Sequence, residues 1–200
     1  EKESAFVYGK LKVLENDKQW TPVFLSIARL SEIKNHLYIL KVFKILRDKN
    51  FQFRLYIFGS GIKEIKLKKF IDENNLQDCV YLKGSLLHHE LKPYFRQAHF
   101  IVQAPLVEGY GKVPIEGFFH GCIPLLSNVG VSEEITGYGK RGFVFSTKDT
   151  ANLVQLIEYA KGDYHLLQDV IAAGREYVKD KTLENWASQL VSSLNGKYAG

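Results

Sequence analysis

The chain has 200 residues, of which 46% are hydrophobic and 24% are charged, and its net charge of +5 is mild. This composition is ordinary for a globular protein with one sizeable core, and no apolar run approaches the roughly 18 residues that a membrane span needs. The two cysteines stand apart in apolar surroundings, which favours buried thiols in a reducing compartment over a disulfide. We therefore expect one cytoplasmic domain over residues 1–200, with no structural assignment for the lead-in at 1–20.

Short apolar runs alternate with segments of helical periodicity along the chain. Strands are predicted at 23–28, 53–58, 79–82, 99–104, 122–126 and 142–145. Helical patterns are predicted at 34–48, after Gly61 to about Asn74, at 88–98 with a break near Pro93, at 114–120, and from Asp149 onward. Apolar strands that alternate with helices predict an α/β fold. We expect a Rossmann-like, doubly wound parallel sheet of about six strands with helices on both faces.

The second helical pattern contains a lysine-rich stretch, IKEIKLKKF. We interpret it as the solvated face of a helix, with Ile62, Ile65 and Phe70 among the apolar positions. A patch for nucleic acid or an anionic membrane is the alternative, but a solvated face is the more common origin of such a run. We therefore expect no nucleic-acid partner.

Ligands of doubly wound sheets bind beyond the carboxyl ends of the strands, so the loops at that edge are the candidate sites. Four of these loops have an unusual composition: Arg29 to Lys34, Gly59 to Gly61, Pro105 to Glu116, and Ser127 to Glu134. The third of them contains both an acidic pair and closely spaced glycines, and it therefore carries the most information.

The loop after the fourth strand predicts an anion site. Gly109 and Gly111 permit unusual backbone angles and leave the backbone uncovered, while Pro114 suits the first turn of a helix. The free amides of Gly111, Lys112 and Val113 would then point into the crevice. The helix dipole and free amides favour a negatively charged ligand there.

Two carboxylates, Glu108 and Glu116, flank this anion site. Glu116 could cap its own helix, or it could accept two hydrogen bonds from a vicinal diol such as a ribose. Glu108 would meet the far side of the ligand. A catalytic pair would face one bond, whereas these two lie on either side of an anion. The layout suits a nucleotide-sugar, which has hydroxyls at both ends and phosphate in the middle.

Arg29 and Lys34 add two cations after the first strand, which is normally central in such a sheet. Taken alone, Arg29 could cap a carbonyl and Lys34 could be a solvated lysine. Their combination with the acidic loop favours a role at a diphosphate, whose negative charge grows when it departs as a leaving group.

Four segments occur in an order that resembles a known family: RLSEIKN, FGSG, EGYGKVPIE and NVGVSEEI. They resemble the C-terminal domain of the retaining glycosyltransferases called group 1 or family 4, over about residues 23–195. That domain is the nucleotide-sugar-binding half of the two-domain GT-B fold. The glutamates separated by seven residues are the most specific part of the resemblance, whereas the GSG triplet alone is a weak signal.

The resemblance implies a role for each of these residues. Glu108 would contact hydroxyls of the donor sugar, and Glu116 would bind the ribose diol. Arg29 and Lys34 would bind the diphosphate, so Arg29, Lys34 and Glu108 are the expected catalytic residues. The other expected donor-binding residues are Gly59, Ser85, Leu86, Gly109, Tyr110, Gly111, Lys112 and Val113, with Ser85 and Leu86 near the base.

The sequence departs from the family pattern at four positions. Ala28 stands where a glycine commonly precedes the arginine, and Gly117 stands where alanine commonly follows the second glutamate. Ser60 replaces a frequent aspartate, and Lys112 replaces an apolar residue and could add a phosphate contact. None of these changes removes a charged group that would bind the ligand.

The resemblance also implies partners. Such enzymes need an N-terminal acceptor domain, which we do not find as a second Rossmann unit here, so this chain alone should bind nucleotide weakly and transfer little. A glycan or lipid-linked acceptor and peripheral association of the full-length enzyme with the inner face of the membrane are expected from the family. We expect no cofactor and no metal, because His88, His89 and Glu90 lack the spacing of a ligand set.

Other functions remain open from the residues alone. A nucleotide-sugar epimerase of the same fold would need carboxylates working at C2 of the sugar, which the sequence does not reveal. A non-catalytic nucleotide-binding module has less need of Arg29, Lys34, Glu108 and Glu116 together. A dinucleotide oxidoreductase is disfavoured, because ARLSEIK rather than a glycine-rich turn follows the first strand.

Overall fold

The computed structural model describes residue 7, residues 20–179 and residue 181. Within these residues, six parallel strands form one sheet in the order β3-β2-β1-β4-β5-β6. The strands are β1 (Val23–Ile27), β2 (Arg54–Phe58), β3 (Val80–Leu82), β4 (Phe100–Gln103), β5 (Ile123–Ser127) and β6 (Phe143–Phe145). The predicted Rossmann-like, doubly wound sheet is confirmed, and β1 is central, between β2 and β4.

Helices connect the strands. They are α1 (His36–Asp48), α2 (Glu64–Glu73), α3 (Lys92–Gln97), α4 (Lys112–Phe119), α5 (Ser132–Thr136), α6 (Thr150–Gly162) and α7 (Tyr164–Val178), with a 3₁₀ turn, His88–Leu91, before α3. Pro93 lies in the first turn of α3 and starts that helix rather than breaking it, since a first-turn residue needs no amide proton. None of the helices in the described ranges is long and apolar enough to cross a bilayer.

One large cluster of core residues covers one face of the sheet and two smaller clusters cover the other, because successive strand residues point to opposite faces. Phe24 belongs to the larger cluster, where its ring lies 5.0 Å from the ring of Phe100 and 4.8 Å from that of Phe43. The next residue, Leu25, belongs to the second cluster, together with Ile101. Burial on both faces explains why these strands are continuous apolar runs.

Both predicted cysteine thiols are buried and outside any disulfide of the described residues, Cys79 in the larger cluster and Cys122 in the second. Burial raises the pKa of the Cys79 thiol to about 11. Both residues therefore belong to the core.

The loops after β1 and β2 are joined by backbone hydrogen bonds beyond the strands themselves. The amide of Ala28 donates to Phe58, and the amide of Leu30 donates to Ser60. Gly59 has φ of +134°, and a side chain there would place its Cβ 2.0 Å from the carbonyl oxygen of Ala28. The close approach of the two loops, rather than a turn alone, requires glycine at this position.

The lysine-rich stretch forms the start of helix α2 and the turn before it, and only some of its apolar residues are buried. Leu67 and Ile71 are the buried positions, and Phe70 is partly buried. Ile62 and Ile65 are 89% and 84% exposed, so they do not belong to the buried face. The helical repeat explains this result, because the side that buries Leu67 and Ile71 turns Ile65 outward.

We expect Gly59→Ala to lower the free energy of unfolding by about 3 kcal/mol or more, because it adds a backbone collision to an unfavourable φ. Gly84→Ala is the matched control: its φ is also positive, at +68°, but no atom lies within 4 Å of the added Cβ. The control should lose only about 1 kcal/mol. Urea denaturation of both variants measures the difference. Equal losses of stability in the two variants would mean that the contact between the loops does not explain the need for glycine at position 59.

Candidate functional site

An ion pair links two of the predicted site residues at the carboxyl edge of the sheet. Lys34 Nζ lies 2.5 Å from Glu108 Oε2, and each side chain is about a quarter exposed, at 29% and 25%. Lys34 comes from the loop after β1, and Glu108 comes from the loop after β4. The contact therefore ties the two central loops together across 74 positions of sequence.

Backbone contacts hold the loop of Glu108 in place from both sides. The amide of Leu106 donates to the carbonyl of Ile33 at 2.8 Å, which joins the loops after β4 and β1. On the other side, Ser127 Oγ donates to the carbonyl of Pro105 at 2.7 Å. Gly130, with φ of +56°, approaches so closely that an added Cβ would lie 2.1 Å from the carbonyl oxygen of Glu108. Three loops thus fix one acidic residue.

The glycine loop leads directly into α4. Gly111 has φ of +68° and precedes the first helical residue, Lys112, so the helix begins two residues earlier than Pro114. No hydrogen-bond partner for the amides of Gly111, Lys112 and Val113 occurs within the ranges that the structure describes. Free amides at a helix start favour an anion, as the sequence predicts.

Glu116 lies in a different part of the site from Glu108. It is the fifth residue of α4 and lines an open cavity of about 680 Å³, together with Lys112 and His88. Its Oε2 lies 3.8 Å from His88 Nδ1. Burial raises the pKa of the Glu116 carboxyl, while His88 and then Lys112 act in the opposite direction. The carboxylate does not cap the helix, since it lies beyond the first turn.

Tyr110 connects the two acidic regions. It is about half exposed and lines both the large cavity of Glu116 and a small crevice that contains Glu108 and Gly109. Partial burial raises its pKa, and Tyr177 on α7 raises it further. The predicted loop residues therefore form one surface between the two glutamates.

The residues predicted near the base form a third group, at the ends of β2 and β3. Ser85 Oγ donates to Ser60 Oγ at 3.0 Å, and the amide of Gly59 donates to the carbonyl of Gly84 at 2.8 Å. Leu86 packs partly buried against the second core cluster. Ser85 is thus at the same edge of the sheet as the glycine loop, while Gly59 has a packing role.

Arg29 follows β1 as predicted, but its side chain is exposed and has no ion pair or hydrogen bond with any residue that the structure describes. The structure therefore brings Lys34 to Glu108 and does not bring Arg29 to either. The placement of Arg29 in the loop after the central strand is confirmed, and its role at a diphosphate stays a prediction.

His88 is a site residue that sequence reasoning missed. The segment His88, His89 and Glu90 drew attention only as a possible metal site. In the structure, Glu90 accepts a hydrogen bond from the amide of Leu87 at 2.7 Å and so stabilises the 3₁₀ turn. The sheet topology gave an indirect signal for His88, because the loop after β3 ends at the same edge as the loop after β4.

His36, next to the site at the start of α1, is buried with 2% exposure. Neither ring nitrogen has a hydrogen-bond partner within the described part of the chain. Desolvation, and then the charge of Lys34, lowers the pKa of His36 to about 4. The folded protein therefore holds this imidazole neutral.

The fold and the site define a doubly wound α/β domain with a charged, amide-rich loop cluster at the carboxyl edge of its sheet. The chain belongs to the family described as glycosyl transferases group 1, whose profile matches residues 12–177. This result confirms the family that the four sequence segments indicated.

Curated relatives agree with this assignment. The chain is 28% identical to the poly(glycerol-phosphate) alpha-glucosyltransferase of Bacillus subtilis over 82% of this chain and 25% of that protein. It is 33% identical to the GDP-mannose:cellobiosyl-diphosphopolyprenol alpha-mannosyltransferase of Xanthomonas oryzae pv. oryzae over 60% of this chain and 35% of that protein. The chain spans between 25% and 44% of the first curated relatives that it matches.

Solved structures confirm the fold. The Anabaena protein HepE in complex with UDP-glucose has a TM-score of 0.78 at 14% identity, over 96% of this chain and 53% of that one. The sucrose-phosphate synthase of Thermosynechococcus elongatus has a TM-score of 0.77 at 21% identity, over 98% of this chain and 49% of that one. These structures have the GT-B fold, and at such identities the likeness concerns the fold alone.

We expect His36 to make the protein less stable as the pH falls. Its pKa of about 4 lies below the unfolded value of 6.5, so only the unfolded state takes up a proton between these values. Its contribution to stability is complete above the unfolded pKa and is lost as the pH falls toward the folded one. From pH 7 to pH 5 the free energy of unfolding should drop by about 2 kcal/mol through this residue.

Denaturant unfolding at several pH values measures this effect, with His36→Leu as the comparison. Subtracting the two pH profiles removes the titrations that both proteins share. Parallel profiles for the two proteins would show that His36 does not titrate as its burial indicates.

Proposed function

We propose that this chain is the donor-binding half of a retaining glycosyltransferase, which transfers a sugar from a nucleoside-diphosphate sugar to a glycan or lipid-linked acceptor. The site needs no metal in this proposal, because side-chain cations and free amides can balance the diphosphate charge. The observation that carries the proposal is the Lys34–Glu108 pair, which lies beside the amide-rich turn at Gly111. A cation, a carboxylate and uncovered amides thus meet at the edge of the sheet where such folds bind nucleotides.

Binding of the donor would exchange the partners of this ion pair. The diphosphate would take the place of Glu108 as the partner of Lys34, and Glu108 would turn to hydroxyls of the sugar. The cation would then face the group on which negative charge grows as the bond to the sugar breaks. Arg29 is exposed on the same loop and would complete the charge balance in this proposal.

Glu116 would bind the ribose diol. Only the ionised carboxylate accepts hydrogen bonds freely on both oxygens, because the neutral acid uses one oxygen as a donor. The half-buried position of Glu116 works against ionisation. Lys112, and His88 when it is protonated, counteract part of that effect, because a nearby positive charge stabilises the carboxylate. The diol would add two charge-assisted hydrogen bonds to it.

The acceptor and the linkage are inferred from the relatives. One is named for poly(glycerol-phosphate) and another for a diphosphopolyprenol-linked sugar, and both are named alpha-transferases. Products with an α linkage support retention when the donor sugar is α-linked. Acceptor binding would require a further domain, since the chain spans at most 44% of the first relatives.

Lys34→Ala and Glu116→Ala should each weaken binding of the nucleotide-sugar about tenfold or more, since each removes a charged side chain that would form hydrogen bonds with the ligand. Calorimetric titration with UDP-, GDP- and ADP-sugars measures this loss and also identifies the base. Lys41→Ala, an exposed lysine on α1, is the matched control and should bind normally. Unchanged affinity in both site variants would remove this assignment.

Glu108→Gln should distinguish binding of the diphosphate from binding of the sugar. It removes the carboxylate that pairs with Lys34, so the free nucleoside diphosphate should bind more tightly, by roughly threefold or more. The advantage of the nucleotide-sugar over the nucleoside diphosphate should fall, because Glu108 no longer accepts from the sugar hydroxyls. A loss of affinity for both ligands by the same factor would contradict the exchange of partners.

Transfer itself requires the chain joined to an acceptor domain. Sugar transfer by such a protein would show that the chain is part of an enzyme and not a module that only binds nucleotide. Hydrolysis or C2 epimerisation of the donor, with no transfer, would favour the epimerase alternative.

A further inference from the structure

The open cavity of about 680 Å³ beside Glu116 is lined by several groups that the proposed donor site does not use. Its size lies within the roughly 300–1,000 Å³ that is typical of small-molecule sites in proteins. Ile115 and Phe119 contribute apolar wall, and three lysines and three histidines line the cavity with them. Glu116 is the only carboxylate among the lining residues that the structure describes. The cavity is therefore rich in side-chain hydrogen-bond donors.

The groups of the proposed donor site lead toward this cavity in the order of the parts of a nucleotide-sugar. Glu108, which would meet the sugar, lines a separate crevice, and Glu116, which would meet the ribose, lines the cavity itself. The base of a nucleotide lies on the side of the ribose away from the diphosphate. The loop of Ser85 and Leu86, where the base is expected, also continues into His88, which lines the cavity.

The donors come from three separate parts of the chain. Lys92 lies in the first turn of α3, Lys112 begins α4, and Lys181 follows α7. All three side chains are exposed and line the same cavity. An ammonium group donates hydrogen bonds and accepts none. A ligand in this cavity thus meets lysine donors from more than one side.

The acceptors near the cavity already have partners or assigned roles. Glu116 would accept from the ribose diol in the proposed function. Glu90 accepts from the amide of Leu87 at 2.7 Å, and Glu176 on α7 is held in an ion pair at 3.5 Å. The hydroxyl of Tyr110 and a neutral imidazole can donate as well as accept, so they do not reverse the excess of donors.

We propose that this cavity binds the nucleobase of the donor and selects a base with an exocyclic carbonyl over a base with an exocyclic amino group. O4 of uracil and O6 of hypoxanthine or guanine accept hydrogen bonds, whereas the amino groups of cytosine and adenine donate them. An amino group facing lysines would lose its bonds to water without gaining an acceptor, and this loss weakens binding. The inference rests on the proposed function and narrows the class of its donor substrate.

Titration of the 200-residue chain with matched nucleoside diphosphates, followed by calorimetry or protein NMR, tests the proposal. UDP and CDP differ at position 4 of the base, and IDP and ADP differ at position 6. UDP should bind about tenfold more tightly than CDP, and IDP about tenfold more tightly than ADP. Equal affinities within each pair would overturn the selection of the base and leave the proposed function standing. No binding of any of the four would contradict the proposed function itself.

The variant Lys92→Met/Lys181→Met tests whether the lysines make the selection, because methionine removes the ammonium group and keeps an unbranched side chain. The ratio of the UDP affinity to the CDP affinity should fall to within roughly threefold. A purely structural effect would lower both affinities by the same factor and preserve their ratio. Lys41→Met, at an exposed position on α1, is the matched control and should keep the ratio of the unmodified chain. An unchanged ratio in the double variant would overturn the role of the lysines.

Discussion

Parallel strands place every group of the candidate site at one edge of the sheet, and the site depends on that constraint. Because β1 and β4 are neighbours, the loops that follow them meet, and Lys34 reaches Glu108 across 74 positions of sequence. The loop after β5 closes against the same glutamate through Gly130. Without this common edge, residues so far apart in the chain would not lie side by side.

The charges at this edge are balanced before a ligand arrives. Lys34 and Glu108 neutralise each other while both are only a quarter exposed, which avoids leaving either charge alone in a partly dry site. The same principle applies in part to Glu116, where Lys112, and His88 when protonated, counteract some of the rise in the carboxyl pKa that burial causes. In the proposed complex, a diphosphate sugar would replace the ion pair, because it would bring anionic oxygens for the lysine and hydroxyls for the glutamate.

Much of the fold could be predicted because buried parallel strands are continuous apolar runs, and the paired glutamates were recognisable from spacing. The side-chain partners were not predictable. The sequence predicted that Lys34 and Glu108 would each contact a ligand, whereas in the structure they form an ion pair with each other. It missed the contact of His88 with Glu116, and α5, whose five residues are too few for a periodic pattern. Ile65 shows the same limit, since apolar character alone does not tell which side of a helix faces the core.

The start of α2 is held against the loop that carries Lys34 by close contacts between the loops after β1 and β2. Gly59 and Gly61 allow the loops after β1 and β2 to touch, with Cβ positions 2.0 and 2.4 Å from carbonyl oxygens of the facing loop. A larger residue would push the start of α2 away from Lys34. The glycines therefore fix the position of the loop that carries Lys34 relative to the start of α2, and with it one side of the candidate site.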